Sequence, residues 1–271
     1  MESVTKVCLI SVVMVTLINT VMSNFPYVCR LAIDKYITIL DFMNIIIIEK
    51  SHCSCSIIAP DWVLTAGHCI VLSTSIFESV IYTIQFGTTY VDNPDLVSIR
   101  EVSENRAYQH PNFNETTLES DVGLIYVSSK FDLESDPSVV SSIKINCPPI
   151  ISVESAYLTA AGFGYINNDN TLPTQLYFTN ELQYMDLPNC QNEWQSTPLP
   201  NTCFCAWDFT TPVSSICNGD SGCPILLPDT LLQIGIGSFG TTPCNALPQG
   251  FTDLSNVNVC NWITEKTGNI S

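Results

Sequence analysis

Cys217-Asn218-Gly219-Asp220-Ser221-Gly222-Cys223-Pro224 places one hydroxyl between glycines, with an acid immediately before it. Glycine tolerates backbone conformations closed to other residues. Gly219 and Gly222 therefore let the chain turn sharply, expose the Ser221 hydroxyl and aim neighbouring N–H groups at one point. A tight structural turn accounts for the glycines alone. It does not account for Asp220 beside the serine, nor for two upstream segments that supply an imidazole and a carboxylate.

The first of these is Thr65-Ala66-Gly67-His68-Cys69, preceded by Ala59-Pro60-Asp61-Trp62-Val63-Leu64. A lone histidine is usually a satisfied structural residue. This one is among only three in the chain, and it sits beside a cysteine after an apolar strand that would hold it rigidly. The second is Ser120-Asp121-Val122-Gly123-Leu124-Ile125, a carboxylate directly before a buried-looking strand. Acids at strand starts are commonly solvated turn residues, so this signal counts only beside the others.

The three segments, WVLTAGHC (62–69), DVGLI (121–125) and CNGDSGCP (217–224), resemble the signature segments of trypsin-like serine peptidases, in that family's order of His, Asp, Ser. The resemblance runs over the whole mature chain. Cys53-Ser54-Cys55-Ser56-Ile57-Ile58 is similar to the strand before the family's histidine, and Gly162-Phe163-Gly164 to its Gly-Trp-Gly turn. Ser238-Phe239-Gly240 is similar to its substrate edge, and residues 248–254 to its pocket-closing strand. The resemblance implies an all-β fold of two antiparallel six-stranded barrels with a short C-terminal helix and a cleft between the barrels. It implies a catalytic triad of His68, Asp121 and Ser221, with the N–H groups of Gly219 and Ser221 as the oxyanion hole. Ser215 falls at the expected pocket base, Ser238 and Gly240 on one wall, and Gln249 where a glycine often lines the other. A serine at the base argues against Arg or Lys selectivity, and the Gln249 side chain would shorten the cavity.

Composition agrees with an extracellular peptidase. Lys+Arg 9 against Asp+Glu 26 gives a net charge of −17, which repels phosphate backbones and anionic lipid surfaces, so neither nucleic acid nor a membrane is an expected partner. Protein or peptide substrates and proteinaceous inhibitors are. Lys6, the apolar run 7–21 and the small residue Ser23 predict a secretory signal over residues 1–23, with 24–271 as the peptidase domain. Short apolar runs at 81–86, 122–127, 156–161, 175–179 and 231–236, punctuated by turn residues, read as strands. A Ser- and Pro-rich break is expected near 134–149, and helical periodicity only over 259–266. Asn114-Glu115-Thr116 is a candidate glycosylation site, and Asn269-Ile270-Ser271 a weaker one.

Removing the signal removes Cys8, so 13 cysteines become 12, an even number suited to disulfides. Neither His52 nor His110 stands in a paired metal-ligand spacing, and no motif implies a metal or cofactor. The resemblance pairs Cys53 with Cys69, Cys217 with Cys244, and Cys190 with Cys205 or Cys203. Leu158 and Leu227 stand at both positions of one missing family bridge. Cys55 and Cys223 stand where the family has glycines on neighbouring segments, and they are expected to form an extra bridge. Cys29, Cys147, Cys203 and Cys260 are left without an assigned partner.

One departure bears on activity. The family's activated N-terminus resembles Ile-Val-Gly-Gly and pairs its amine with the acid before the nucleophile, here Asp220. No such sequence occurs in these 271 residues; Arg30-Leu31 offers a basic cleavage point, but the residues after it lack the glycines. Two readings therefore stand: an active secreted serine endopeptidase, and a catalytically silent homologue that binds a partner or regulates.

Overall fold

The computed structural model describes residues 25–39, 45–72, 79–91, 98–151, 153, 156–166, 171, 173–195, 197–210, 215–228 and 230–268. The expected signal segment and the Asn269 glycosylation triplet lie outside them. Alternation decides the first sheet. In β4 (Ser79–Phe86) Val80, Tyr82, Ile84 and Phe86 are buried while their neighbours are not, the period of a strand with one face on a core. With β1 (Val28–Ile39), β2 (Ile45–Ala59), β3 (Trp62–Thr65), β5 (Ser98–Ser103), β6 (Ala107–Gln109) and β7 (Gly123–Tyr126) it forms a seven-stranded sheet in the order β5-β4-β1-β2-β3-β7-β6. The apolar run at 45–48 forms the start of β2.

The second sheet comprises β8 (Lys144–Ile145), β9 (Tyr157–Gly162), β10 (Tyr177–Met185), β11 (Cys203–Trp207), β12 (Pro224–Leu227), β13 (Leu232–Phe239) and β14 (Gln249–Asp253). Its order is β12-β9-β10-β11-β14-β13, and a further ladder between β12 and β13 closes it into a six-stranded antiparallel barrel, with β8 added in parallel to β13. The fold is therefore mostly β, as the sequence implies, with one difference. Among the described residues no ladder closes the first sheet, whose edge strands β5 and β6 follow each other through the turn Glu104–Arg106. Residues 127–143 join the two sheets.

Among the described residues two α-helices complete the fold. The expected C-terminal one, Val257–Thr267 (α2 below), buries Val259, Cys260, Trp262 and Ile263. The other, Leu187–Trp194 (α1), was not expected. It is capped by Asp186, whose carboxylate accepts the Asn189 N–H at 3.0 Å, and it buries only Cys190, so it shows no apolar stripe.

Among the described residues five disulfides hold the fold: Cys29–Cys55, Cys53–Cys69, Cys147–Cys260, Cys190–Cys205 and Cys217–Cys244. The expected Cys55–Cys223 bridge is not formed. Successive residues of a strand leave on opposite faces: Ser54 faces the Ser221 turn, so Cys55 does not. Cys55 instead lies directly opposite Cys29 across the β1–β2 ladder, with Cα atoms 4.9 Å apart. Cys223 is a buried free thiol, as is Cys203. Leu158 on β9 and Leu227 on β12 pack in one apolar cluster of the closed barrel.

Cys147–Cys260 joins the start of the second sheet to α2 across 113 residues. Loop closure of that length is worth about 4–5 kcal/mol in the chain-entropy account. The double variant Cys147→Ser/Cys260→Ser is expected to lower the thermal midpoint by about 10 °C, at about 2–4 °C per kcal/mol for a chain of this size, as calorimetry would read.

Candidate active site

Asp121 stands just before β7 and is fully buried. One carboxylate oxygen, Oδ1, accepts the backbone N–H of His68 at 2.8 Å. The other, Oδ2, lies 2.8 Å from His68 Nδ1 and accepts the Ser238 hydroxyl at 2.5 Å. The Thr252 hydroxyl donates to the Asp121 backbone carbonyl at 2.7 Å. An acid belonging to the first sheet is thus fixed by β13 and β14 of the second. A carboxylate facing Nδ1 keeps the proton there and leaves Nε2 with its lone pair.

His68 sits on a 3₁₀ turn, Gly67–Cys69, after β3, and the Cys53–Cys69 bridge ties this turn to β2. Its side chain is 27% exposed. Burial pulls the imidazole pKa down, but the hydrogen bond to Asp121 and its charge outweigh burial, and the net shift is upward from 6.5. The sulfurs of Cys53 and Cys69 lie within 4.8 Å of a His68 nitrogen, but they are bonded to each other and so are not available as thiolate ligands.

Ser221 lies on the turn between Gly219 (φ 92°) and Gly222 (φ 84°), both in the left-handed region that favours glycine. The Ser54 N–H donates to the Ser221 carbonyl at 2.8 Å, and any side chain on Gly222 would strike Thr65 Oγ1 and the Ser54 carbonyl. The Gly222 N–H donates to the Gly237 carbonyl at 2.8 Å. Ser221 is therefore seated between the end of β3, which leads into His68, and the residue before Ser238, which bonds Asp121. Among the described residues no hydrogen bond joins the Ser221 hydroxyl to His68; in sites without substrate such bonds are often long and tighten on binding. The N–H groups of Gly219 and Ser221 donate to no acceptor among the described residues.

Asp220 points away from this site, against the turn at 162–164. Its carboxylate accepts the N–H of Gly164 at 2.7 Å and of Cys217 at 2.9 Å. Desolvation raises its pKa to about 6, against the lowering by those two amides. A Cβ on Gly164 would lie 2.6 Å from the Asp220 nitrogen, so only glycine permits this approach.

The order of these segments and the sheets that carry them have counterparts among known proteins. A family model described as Trypsin matches residues 22–263. The chain belongs to the trypsin family. It is 30% identical to Lectizyme of Glossina austeni over 229 residues, 81% of this chain and 79% of that protein. To chymotrypsin-like elastase family member 3A of Homo sapiens it is 29% identical over 222 residues, 79% and 77% of the two chains. The solved structure of HL collagenase superposes with a TM-score of 0.68 at 25% identity, covering 91% of this chain and 95% of that one.

Around this trypsin-family site a cavity of about 200 Å³ opens beside Ser221, lined also by Ser238, Phe239, Gly240 and Thr241. Ser215 is not in its lining. The Ser215 hydroxyl is turned onto the carbonyls of Ile216 and Cys244, both at 3.1 Å, and borders a separate cavity next to Asp220. Gln249 is fully buried, and its Cγ lies 3.6 Å from where a Cβ on Gly240 would stand. Its Nε2 donates to the Leu247 carbonyl at 2.9 Å, while its Oε1 is buried with no partner among the described residues. Phe239 packs edge-on against Trp194 of α1 with centroids 5.4 Å apart. Asn114 lies on an exposed turn whose Thr116 and Thr117 N–H groups donate to its Oδ1.

Besides Thr252, which holds the Asp121 carbonyl, two contributors to the site went unread in the sequence. Ser54 lies fully buried in β2, and Tyr165 follows the Gly162-Phe163-Gly164 turn. The available signal for Ser54 was a hydroxyl between two cysteines in a core strand, where a polar group must find a partner.

Proposed function

We propose that the protein is a secreted serine endopeptidase that cleaves peptide bonds through an acyl-enzyme on Ser221. The observation that carries this reading is the Asp121 carboxylate, shared by the backbone and ring of His68 and by Ser238. In this mechanism the Ser221 hydroxyl attacks the scissile carbonyl while His68 Nε2 takes its proton, then returns it to the leaving amine; water repeats the cycle on the ester. Asp121 orients the imidazole and stabilises its charged form. The uncommitted amides of Gly219 and Ser221 receive the oxyanion, each worth about 3 kcal/mol in the transition state. Secretion rests on the residue 1–23 signal pattern and on five disulfides, which persist in oxidising compartments.

The substrate class follows from the pocket. With Gln249 crossing toward Gly240 and Ser215 turned away, the space beside Ser221 suits a small uncharged side chain before the scissile bond. Gln249→Gly is expected to raise kcat/KM for a phenylalanine substrate over its alanine counterpart by at least about 10-fold, since a few methylenes of pocket depth discriminate on that scale. Paired peptide substrates read this directly.

The test of the reading is labelling by a fluorophosphonate, which reacts only with an activated serine hydroxyl. The adduct is expected on Ser221 by mass spectrometry. A folded protein that stays unlabelled while its disulfides are intact would establish the silent homologue instead.

A further inference from the structure

An oxyanion site made from a loop works only if each peptide unit of that loop is held in one orientation. The unit joining Asn218 to Gly219 is held by Tyr165, whose N–H donates to the Asn218 carbonyl at 2.8 Å. Carbonyl and N–H point in opposite directions across a trans peptide, so this bond turns the Gly219 N–H away from Tyr165. The next unit is held from β2: the Ser54 hydroxyl donates to the Gly219 carbonyl at 3.1 Å and accepts the Phe163 N–H at 2.9 Å. The backbone N–H of the same residue grips the Ser221 carbonyl at 2.8 Å. Ser54 thus holds the nucleophile turn on both sides of Asp220 and links it to the 162–164 turn. Asp220 itself is held by backbone amides, and no ion pair reaches it among the described residues.

We propose that the Ser54 hydroxyl is a positioning group for the oxyanion site, fixing the Gly219–Asp220 peptide so that the loop is competent without a cation paired to Asp220. This rests on the peptidase reading above. Removing the hydroxyl strips the Gly219 carbonyl and the Phe163 N–H of a buried partner and loosens the carbonyl end of that peptide, while the Asp220 N–H bond to the Cys217 carbonyl at 2.9 Å and the Ser54 backbone bond to Ser221 survive. The attacking serine and its base are untouched. The loss therefore falls on the stabilisation of the oxyanion and not on substrate binding.

The experiment compares wild type, Ser54→Ala and Ser54→Thr for peptide hydrolysis and for the rate of fluorophosphonate labelling, with folding checked by circular dichroism. Ser54→Ala is expected to lower kcat and the labelling rate about 10- to 100-fold, part of the 10²–10³-fold loss for a deleted oxyanion donor. KM should move less than about twofold and the pH midpoint of kcat should stay in place, because His68 and Asp121 are unchanged. Ser54→Thr, which keeps the hydroxyl, should recover most of the rate. A folded Ser54→Ala protein with wild-type kcat, or one whose loss lies in KM, overturns this inference alone. If Ser54→Ala does not fold, a folded Ser54→Thr protein with the crippled kcat does the same. A wild type inert to both substrate and label overturns the peptidase reading, and this inference with it.

Discussion

Ser221→Ala is expected to lower kcat by about 10⁵- to 10⁶-fold, to abolish fluorophosphonate labelling and to leave thermal stability almost unchanged. The size follows from the role: without the hydroxyl no acyl-enzyme forms, and only substrate binding and the oxyanion donors remain. The neutrality in stability has a separate cause. Ser221 holds its place through its backbone, whose carbonyl accepts the Ser54 N–H, and through the flanking Gly222 contact with Gly237. Alanine keeps both. A substitution that removes no buried partner stays within about 0.5 kcal/mol, so a folded and inactive variant separates chemistry from architecture. Retention of more than about 1% of wild-type kcat would place the nucleophile elsewhere.

Much of this arrangement was legible from residue types at short range. The quoted turn needs two glycines with positive φ, and the runs at 81–86, 156–161 and 231–236 fall on strands that carry buried apolar residues, the first in one core cluster and the other two mainly in the second. What stayed hidden depends on facts that span the chain. Nothing local says that Cys29 faces Cys55, because register is set by the whole β1–β2 ladder, and a slip of one residue reverses every face. The expectation for Cys55 and Cys223 correctly sensed neighbouring segments but missed that Ser54, not Cys55, faces the turn. α1 escaped because its one buried side chain, Cys190, leaves no periodic stripe; the Asp186 cap with Pro188 in the first turn was the only mark. Gln249 was read as shortening a pocket; its Cγ lies 3.6 Å from where a Cβ on Gly240 would stand. The direction of the Ser215 hydroxyl needed the Cys244 carbonyl, 29 residues further on, to be in place.

Asp121→Asn is expected to cost about 10⁴-fold in kcat, the scale general to peptidases of this family, and the reason can be traced atom by atom. At Oδ1 the neighbour is the His68 backbone N–H, which can only donate, so the amide oxygen of asparagine must stay there. The amide nitrogen is then forced to the Oδ2 position, facing His68 Nδ1 and the Ser238 hydroxyl. Ser238 can rotate and accept. The imidazole can adapt only by making Nδ1 the acceptor, which moves its proton to Nε2, the atom that takes the proton of Ser221 in the proposed mechanism. The same change alters the pH dependence. In the wild type Asp121 holds the His68 pKa above 6.5 against burial, and under the proposed mechanism hydrolysis, which would need neutral imidazole, is expected to rise with pH through that raised value. Without the carboxylate only the lowering by burial remains, so the midpoint of the rising limb should shift to lower pH as the plateau falls. A pH–kcat series on the two proteins measures both effects, and an Asp121→Asn variant with an unshifted midpoint would remove Asp121 from the relay.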